Sequence, residues 1–319
     1  MNDFLNNLFQ REQAPVIDEF AERRQVSLLS VGVLSILLLS TAAQVVAVTV
    51  LPAKWLQHPL FSLTVGSVCM YLVAQPLSML FFGKCKATVP EKKRLSGAEL
   101  LALISVGFSL MAVGSYVGTL ANNLICFLLR KAPSNPVEQM IKGVPLWAIF
   151  LLTVVAAPLF EEWIFRRVLI RRLLRYGELP AILASGVAFG LIHGNVSQCC
   201  YATLLGLLFG AVYAKTGRLR YTVFLHMLIN FHGSVYTTVM LRSEAPQSLL
   251  MSGLYYLFYL ICFVGLIPSL TLLSRRRPMK EGEVALTADR ARRIVWRNPV
   301  LWMSLGVMAL NLIANTILY

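Results

Sequence analysis

The chain has 319 residues, 57% of them hydrophobic and only 14% charged, and carries a formal net charge of +14. That balance excludes an ordinary soluble globular domain, and several apolar runs of about 18 residues or more mark a polytopic helical membrane protein. The runs are continuous rather than alternating, which excludes a transmembrane β-barrel; in a membrane protein the positive charge reads as cytoplasmic loops, with no nucleic-acid partner expected.

Residues 1–27 form a charged segment in which Phe4, Leu5, Leu8 and Phe9 give a short apolar edge suited to the membrane surface. No short apolar stretch followed by a small-residue cleavage site precedes the first span, so that span is expected to be retained as an anchor. Spans are predicted over 28–51, ended by Pro52, and over 60–82. A basic loop follows, and Ser96 with Glu99 spells a capping box for a third span over 98–120 with an apolar tail to 129. Residues 130–145 hold three prolines and read as a loop. The fourth element, 146–176, is longer than a span needs. A short fifth covers 179–193, followed by spans over 196–214, 221–241, 249–273 and 300–319.

The expected fold is therefore an all-α transmembrane bundle of about eight to nine spans. Its parts are a charged segment (1–27), N-terminal helices (28–130), a core (145–241), and C-terminal helices (249–319) joined by a basic connection. Alternate segments carry 24 of the 29 lysines and arginines, which assigns that side, with the N-terminus, to the cytoplasm. Cys69, Cys85, Cys126, Cys199, Cys200 and Cys262 form no CxxC pair and read as small apolar residues.

The fourth element is chemically the most unusual. Glu161 and Glu162 sit in the middle of its apolar pattern, where an ionisable group costs about 2.5–3.5 kcal/mol on insertion scales and is usually functional. Glu162 and Arg166 are four residues apart on one helical face and are expected to pair. Glu161 is rotated about 100° from Glu162 and is expected to stay free for chemistry. Phe189 and His193 share a face of the fifth element, as do His226 and Asn230 of the seventh. A carboxylate, two imidazoles and an amide converging in a bundle core suit hydrolysis. Glu161 would be the base, sharing a water with His193, while His226 and Asn230 would donate to an oxyanion. There is no HExxH, no aspartate within a span, and no basic partner on the helical face of Ser185 or Ser197. His58 and His232 are read as structural, and Asn311 and Asn315 as interhelical hydrogen-bonding residues.

Together Glu161-Glu162-x-x-x-Arg166, Phe189-x-x-x-His193 and His226-x-x-x-Asn230 resemble the motif set of the CPBP family. That membrane group includes type II CAAX prenyl endopeptidases and bacteriocin-processing or immunity proteins. The resemblance covers residues 145–235 and implies a glutamate-dependent intramembrane endopeptidase. By that likeness Glu161 and His193 activate water, His226 and Asn230 stabilise the oxyanion, and Glu162, Arg166 and Phe189 support them. No cofactor is expected; the alternative that the resemblance carries is a divalent metal such as zinc on Glu161, His193 and His226. The expected partners are the bilayer and a membrane-associated or lipidated peptide or protein substrate. The carboxylates lie nearer the basic end of their helix, so the core is expected to open to the cytoplasm, where the basic rim would attract an acidic or lipid-bound peptide. Two rival readings are a non-catalytic immunity or scaffold protein and a proton-coupled transporter.

Overall fold

A computed structural model describes residues 17–132, 141–242, 245–275, 277–284 and 286–318. The expected apolar edge at residues 4–9 and much of the proline loop lie outside the described residues. Among those residues every regular element is helical, and the chain is an integral, multi-pass membrane protein. Seven helices are long and apolar enough to span: α1 (Glu19–Val50), α2 (Pro59–Phe82), α3 (Gly97–Leu128), α4 (Leu146–Tyr176), α6 (Val196–Thr216), α8 (Leu249–Ser274) and α9 (Pro299–Ile317). The short apolar α5 (Glu178–Leu191) and α7 (Leu219–Asn230, continued by Phe231–Tyr236 and Thr237–Arg242) complete the nine elements expected from sequence.

The first span starts nine residues before its predicted position. Asp18 caps α1 by accepting from the Phe20 and Ala21 amides, and the polar first turns find partners. Glu22 accepts from Arg175 (2.6 Å) and from the Tyr176 hydroxyl (2.8 Å). Hydropathy alone could not place this start, because Glu22 is satisfied by residues 153 and 154 positions away. The capping box of α3 forms as predicted, with Ser96 accepting from the Glu99 amide and Glu99 from the Ser96 amide.

Lipid tails supply no hydrophobic force between helices, so the bundle relies on close packing of small residues. Gly114 and Gly118 of α3, Gly186 and Gly190 of α5, and Gly206 and Gly210 of α6 each form a GxxxG pair. A Cβ on Gly114 would lie 2.5 Å from Cα of Tyr201, and one on Gly206 would lie 3.0 Å from Cα of Gly186, so α3, α5 and α6 meet at backbone contact. Large exposed side chains such as Leu101, Leu124, Leu260 and Leu310 form the lipid-facing exterior. All six cysteines are free thiols, four of them buried.

The basic segments meet at one end of the bundle. The loop after α2 is tied to the end of α4 by the Thr88 amide on the Arg171 carbonyl (2.6 Å), and to the end of α6 by the Lys93 amide on the Thr216 carbonyl (2.8 Å). The connection after α8 joins them through the Val284 amide on the Arg175 carbonyl (2.8 Å). Glu178 is held there by Arg277 (2.5 Å) and Lys215 (3.0 Å). At the opposite end Arg242 donates to the Val144 carbonyl (3.0 Å) and Asn315 to that of Gly194 (2.9 Å).

Candidate active site

Two prolines shape the helices that carry the site. Pro76 in α2 and Pro158 in α4 lack an amide hydrogen and interrupt the helical ladder. Each is preceded by a wide π-helical turn, Cys69–Ala74 and Phe150–Ala156 respectively. A second wide turn, Trp163–Ile170, follows the glutamates. Such turns recur at functional sites because they re-aim side chains within a helix.

The sequence-predicted pair is present. Arg166 Nε donates to Glu162 Oε2 at 3.0 Å, and both side chains are completely buried. Arg166 Nη1 also donates to Ser185 Oγ (2.8 Å), which donates in turn to the Phe165 carbonyl (3.2 Å). The guanidinium lies 4.9 Å from the Phe189 ring centroid, which gives that phenylalanine a cation–π role. Ser185 thus does have a basic partner, supplied by a neighbouring helix. A guanidinium cannot accept its proton, so this contact makes the serine a clasp rather than a nucleophile. Arg166 therefore belongs to the buried interior rather than to the basic end of α4.

Glu161 is not the free group expected. The Tyr71 hydroxyl donates to its Oε1 at 2.7 Å, and its Oε2 lies 3.8 Å from Nε2 of His226. The same imidazole meets Glu162 Oε1 through Nδ1 at 3.0 Å, so both glutamates converge on one histidine. A carboxylate accepts, so this contact fixes the proton on Nδ1 of His226 and leaves Nε2 facing Glu161. His193 is fixed likewise, with Nδ1 donating to the Phe189 carbonyl at 2.6 Å. In the neutral ring its Nε2 is then an acceptor. Asn230 Nδ2 donates to the Thr153 carbonyl (2.8 Å), which leaves a second amide hydrogen for another acceptor. Asn230 is steadied by Ser234, whose hydroxyl donates to the Asn230 carbonyl (2.5 Å) and lies 3.0 Å from Thr153 Oγ1.

Glu161, His193, His226 and Asn230 all line one chamber of about 1170 Å³, together with Tyr71 and Phe189. Its remaining lining is about half apolar, including Leu63, Met70 and Leu152, and half neutral and polar, including Ser67, Ser115, Gln198 and Asn311. It does not extend toward the basic end, as had been expected. It reaches Gln57, Lys142 and Asn195, which belong to connections at the opposite end. His226 floors the chamber, with Glu162 and Arg166 fully buried behind it. Beneath that floor Ile170, Leu174, Ile182 and Tyr213 form a packed apolar cluster. The basic rim and the chamber are thus at opposite ends, and the rim is not placed to feed it.

A metal on Glu161, His193 and His226 would need the three side chains gathered around one point. Among the described residues no three His, Cys, Asp or Glu side chains are gathered to share an ion. His232 packs among Phe108, Tyr236, Tyr255, Phe258 and Tyr259 and borders the chamber without joining the carboxylates.

Sequence reasoning missed Tyr71 and Ser185. Tyr71 lies 90 residues before Glu161, and the one signal for it was Pro76 five residues on, which breaks the ladder of α2 beside it.

A bundle of apolar helices thus holds a carboxylate, two histidines and an amide around one chamber, groups of the kinds that acid–base hydrolysis uses. The sequence model of the family described as "Type II CAAX prenyl endopeptidase Rce1-like" matches residues 143–232, a segment that contains Glu161 through Asn230. Over 98 residues the chain is 30% identical to "Putative membrane peptidase YdiL" of Bacillus subtilis (strain 168), which covers 30% of this chain and 39% of that protein. No solved structure gives a significant match. The core of the chain is therefore similar to CAAX-type membrane proteases, as its motifs indicated, and the chain spans about two fifths of the length of that relative.

Proposed function

We propose that this protein is an intramembrane peptidase that hydrolyses a peptide bond of a membrane-associated peptide or protein, with water activated by Glu161. The observation that carries this reading is the convergence of Glu161 and the Nε2 atom of His226 at 3.8 Å on the wall of one chamber.

A water between Glu161 and His193 Nε2 can donate one hydrogen to each, which turns an oxygen lone pair toward a substrate carbonyl. Glu161 takes the proton as that oxygen attacks, and later returns it to the leaving amine. The free amide hydrogen of Asn230 faces the charge that develops on the carbonyl oxygen, and a protonated His226 Nε2 would add a second donor. Tyr71 holds the Glu161 carboxylate through its Oε1, leaving Oε2 for the proton. Glu162 and Arg166 orient His226 from below without touching the reacting atoms. Every step uses side chains of this chain, and none is routed through a metal.

The test compares purified wild type and Glu161→Gln on a pool of membrane-protein-derived and prenylated peptides, with cleavage read by mass spectrometry in the presence and absence of a chelator. Cleavage by wild type that survives chelation and disappears in Glu161→Gln is the expected result. Chelator-sensitive cleavage would overturn the metal-free mechanism. Absence of cleavage by a folded wild type would favour a scaffold that binds without turnover.

A further inference from the structure

The direction in which the chamber opens identifies the side from which substrate arrives. Helices α1, α2, α3, α8 and α9 contribute to the chamber from their midpoints or from the half farther from the basic rim, while Phe209 of α6 and His226 of α7 reach it from nearer mid-bundle. Residues 37–44 of α1 line it from the second half of that helix, Gly66 and Tyr71 from the first half of α2, and Ser115 from the second half of α3. Asn311 and Asn315 come from the second half of α9. Glu161 lies fifteen residues into α4, roughly 22 Å below its first turn at 1.5 Å per residue. The chamber is thus a well about half a membrane deep, with the carboxylate at its floor and Gln57, Lys142 and Asn195 at its mouth.

The other end is closed. The Glu162–Arg166–Ser185 clasp, the apolar cluster around Ile170 and Tyr213, and the cross-linked basic loops lie between the carboxylate and the basic face. Basic segments stay in the cytoplasm during insertion. The segments that converge on the closed end are the loop at residues 84–94, the end of α4, the turn after α6 and the connection after α8.

Resting on the peptidase reading above, we propose that the chamber receives its substrate from the extracytoplasmic face, and that this substrate is an extended segment of a membrane-anchored peptide exposed on that face. Two features of the lining define the chemistry. A volume of about 1170 Å³ exceeds the 300–1,000 Å³ of ordinary small-molecule pockets and accommodates a stretch of chain. Among the described residues Lys142 is the only lysine or arginine in the lining, while serine, threonine, asparagine and glutamine recur through it between leucines, isoleucines and methionines. Such a wall holds backbone and neutral polar groups by hydrogen bonding and apolar side chains by contact, rather than selecting a charged peptide. A prenylated cytoplasmic tail would meet the closed end.

Side-specific labelling tests the proposal and needs no turnover, so its outcome is independent of whether peptide cleavage is found. Gln57→Cys and Thr119→Cys place thiols at exposed positions near the mouth, and Ala87→Cys places one on the basic rim. The full-length chain is treated with a membrane-impermeant maleimide in intact cells and in inverted vesicles, with labelling of the native cysteines in wild type as baseline. The mouth positions should label in intact cells and Ala87→Cys only in inverted vesicles. Trypsin applied to wild type provides a second measurement that depends on no variant: from outside it should cut after Lys54, Arg130, Lys131 or Lys142, and from inside within residues 84–94. Labelling of the mouth positions from the cytoplasmic side, or tryptic cuts with the opposite sidedness, overturns the proposal.

Discussion

Arg166 is placed to support the proposed site without touching the reacting atoms. Its guanidinium is fully buried and neutralises a fully buried Glu162, which in turn holds His226. Removing one member of such a pair strands the other charge, at a cost of about 3–5 kcal/mol. Arg166→Leu should therefore lower thermal stability in detergent by several degrees and reduce activity with it. Tyr71→Phe makes the opposite kind of change. It deletes one hydroxyl that donates to Glu161, and a mispositioned base predicts about a tenfold lower kcat, equivalent to roughly 1.4 kcal/mol, with thermal stability nearly unchanged. Unchanged kcat in that variant would remove Tyr71 from the positioning set. At this scale the sequence was legible wherever partners share a helix. The Glu162–Arg166 pair follows from four-residue spacing, and so does the placement of Asn230 beside His226. Contacts between helices were not legible: Tyr71 on Glu161, Ser185 on Arg166, and both glutamates on His226.

At the level of elements, small residues set how closely the chamber walls approach. Gly114 presses α3 against the backbone of α6 at Tyr201, which itself lines the chamber. Any larger side chain there must force the helices apart, and overpacking of this kind costs about 1–3 kcal/mol. Gly114→Leu should lower both melting temperature and peptidase activity, whereas Gly253→Ala, with nothing within 4 Å of the new methyl, should alter neither. Equal behaviour of the two variants would show that this contact does not shape the site. Apolar periodicity placed most helices to within a few residues, because a helix in lipid must satisfy its own backbone. It failed at the start of α1, where Glu22 is buried against the end of α4 and Gln25 against the loop after α2. The GxxxG pairs were readable signals of close helix approach, and the two prolines of breaks in helical register. Which helices would meet at those positions depends on the tertiary arrangement.

For the molecule as a whole, charge and chamber separate along the bundle axis. The positive residues gather where the loops are tied together, while the well opens at the other end with little charge of its own. Sequence located the basic end from its lysines and arginines. It misplaced the opening, because a carboxylate's position along its own helix does not reveal which side of it neighbouring helices fill. The packing of α5, α6 and α7 beneath Glu161 determines that. The measurement that tests the central claim most directly is the rate of peptide cleavage by wild type and Glu161→Gln, with melting temperature recorded on the same samples. If Glu161 is the base, kcat should fall by about 10²–10⁴-fold while the fold is retained. Full activity in a folded Glu161→Gln protein would contradict the account.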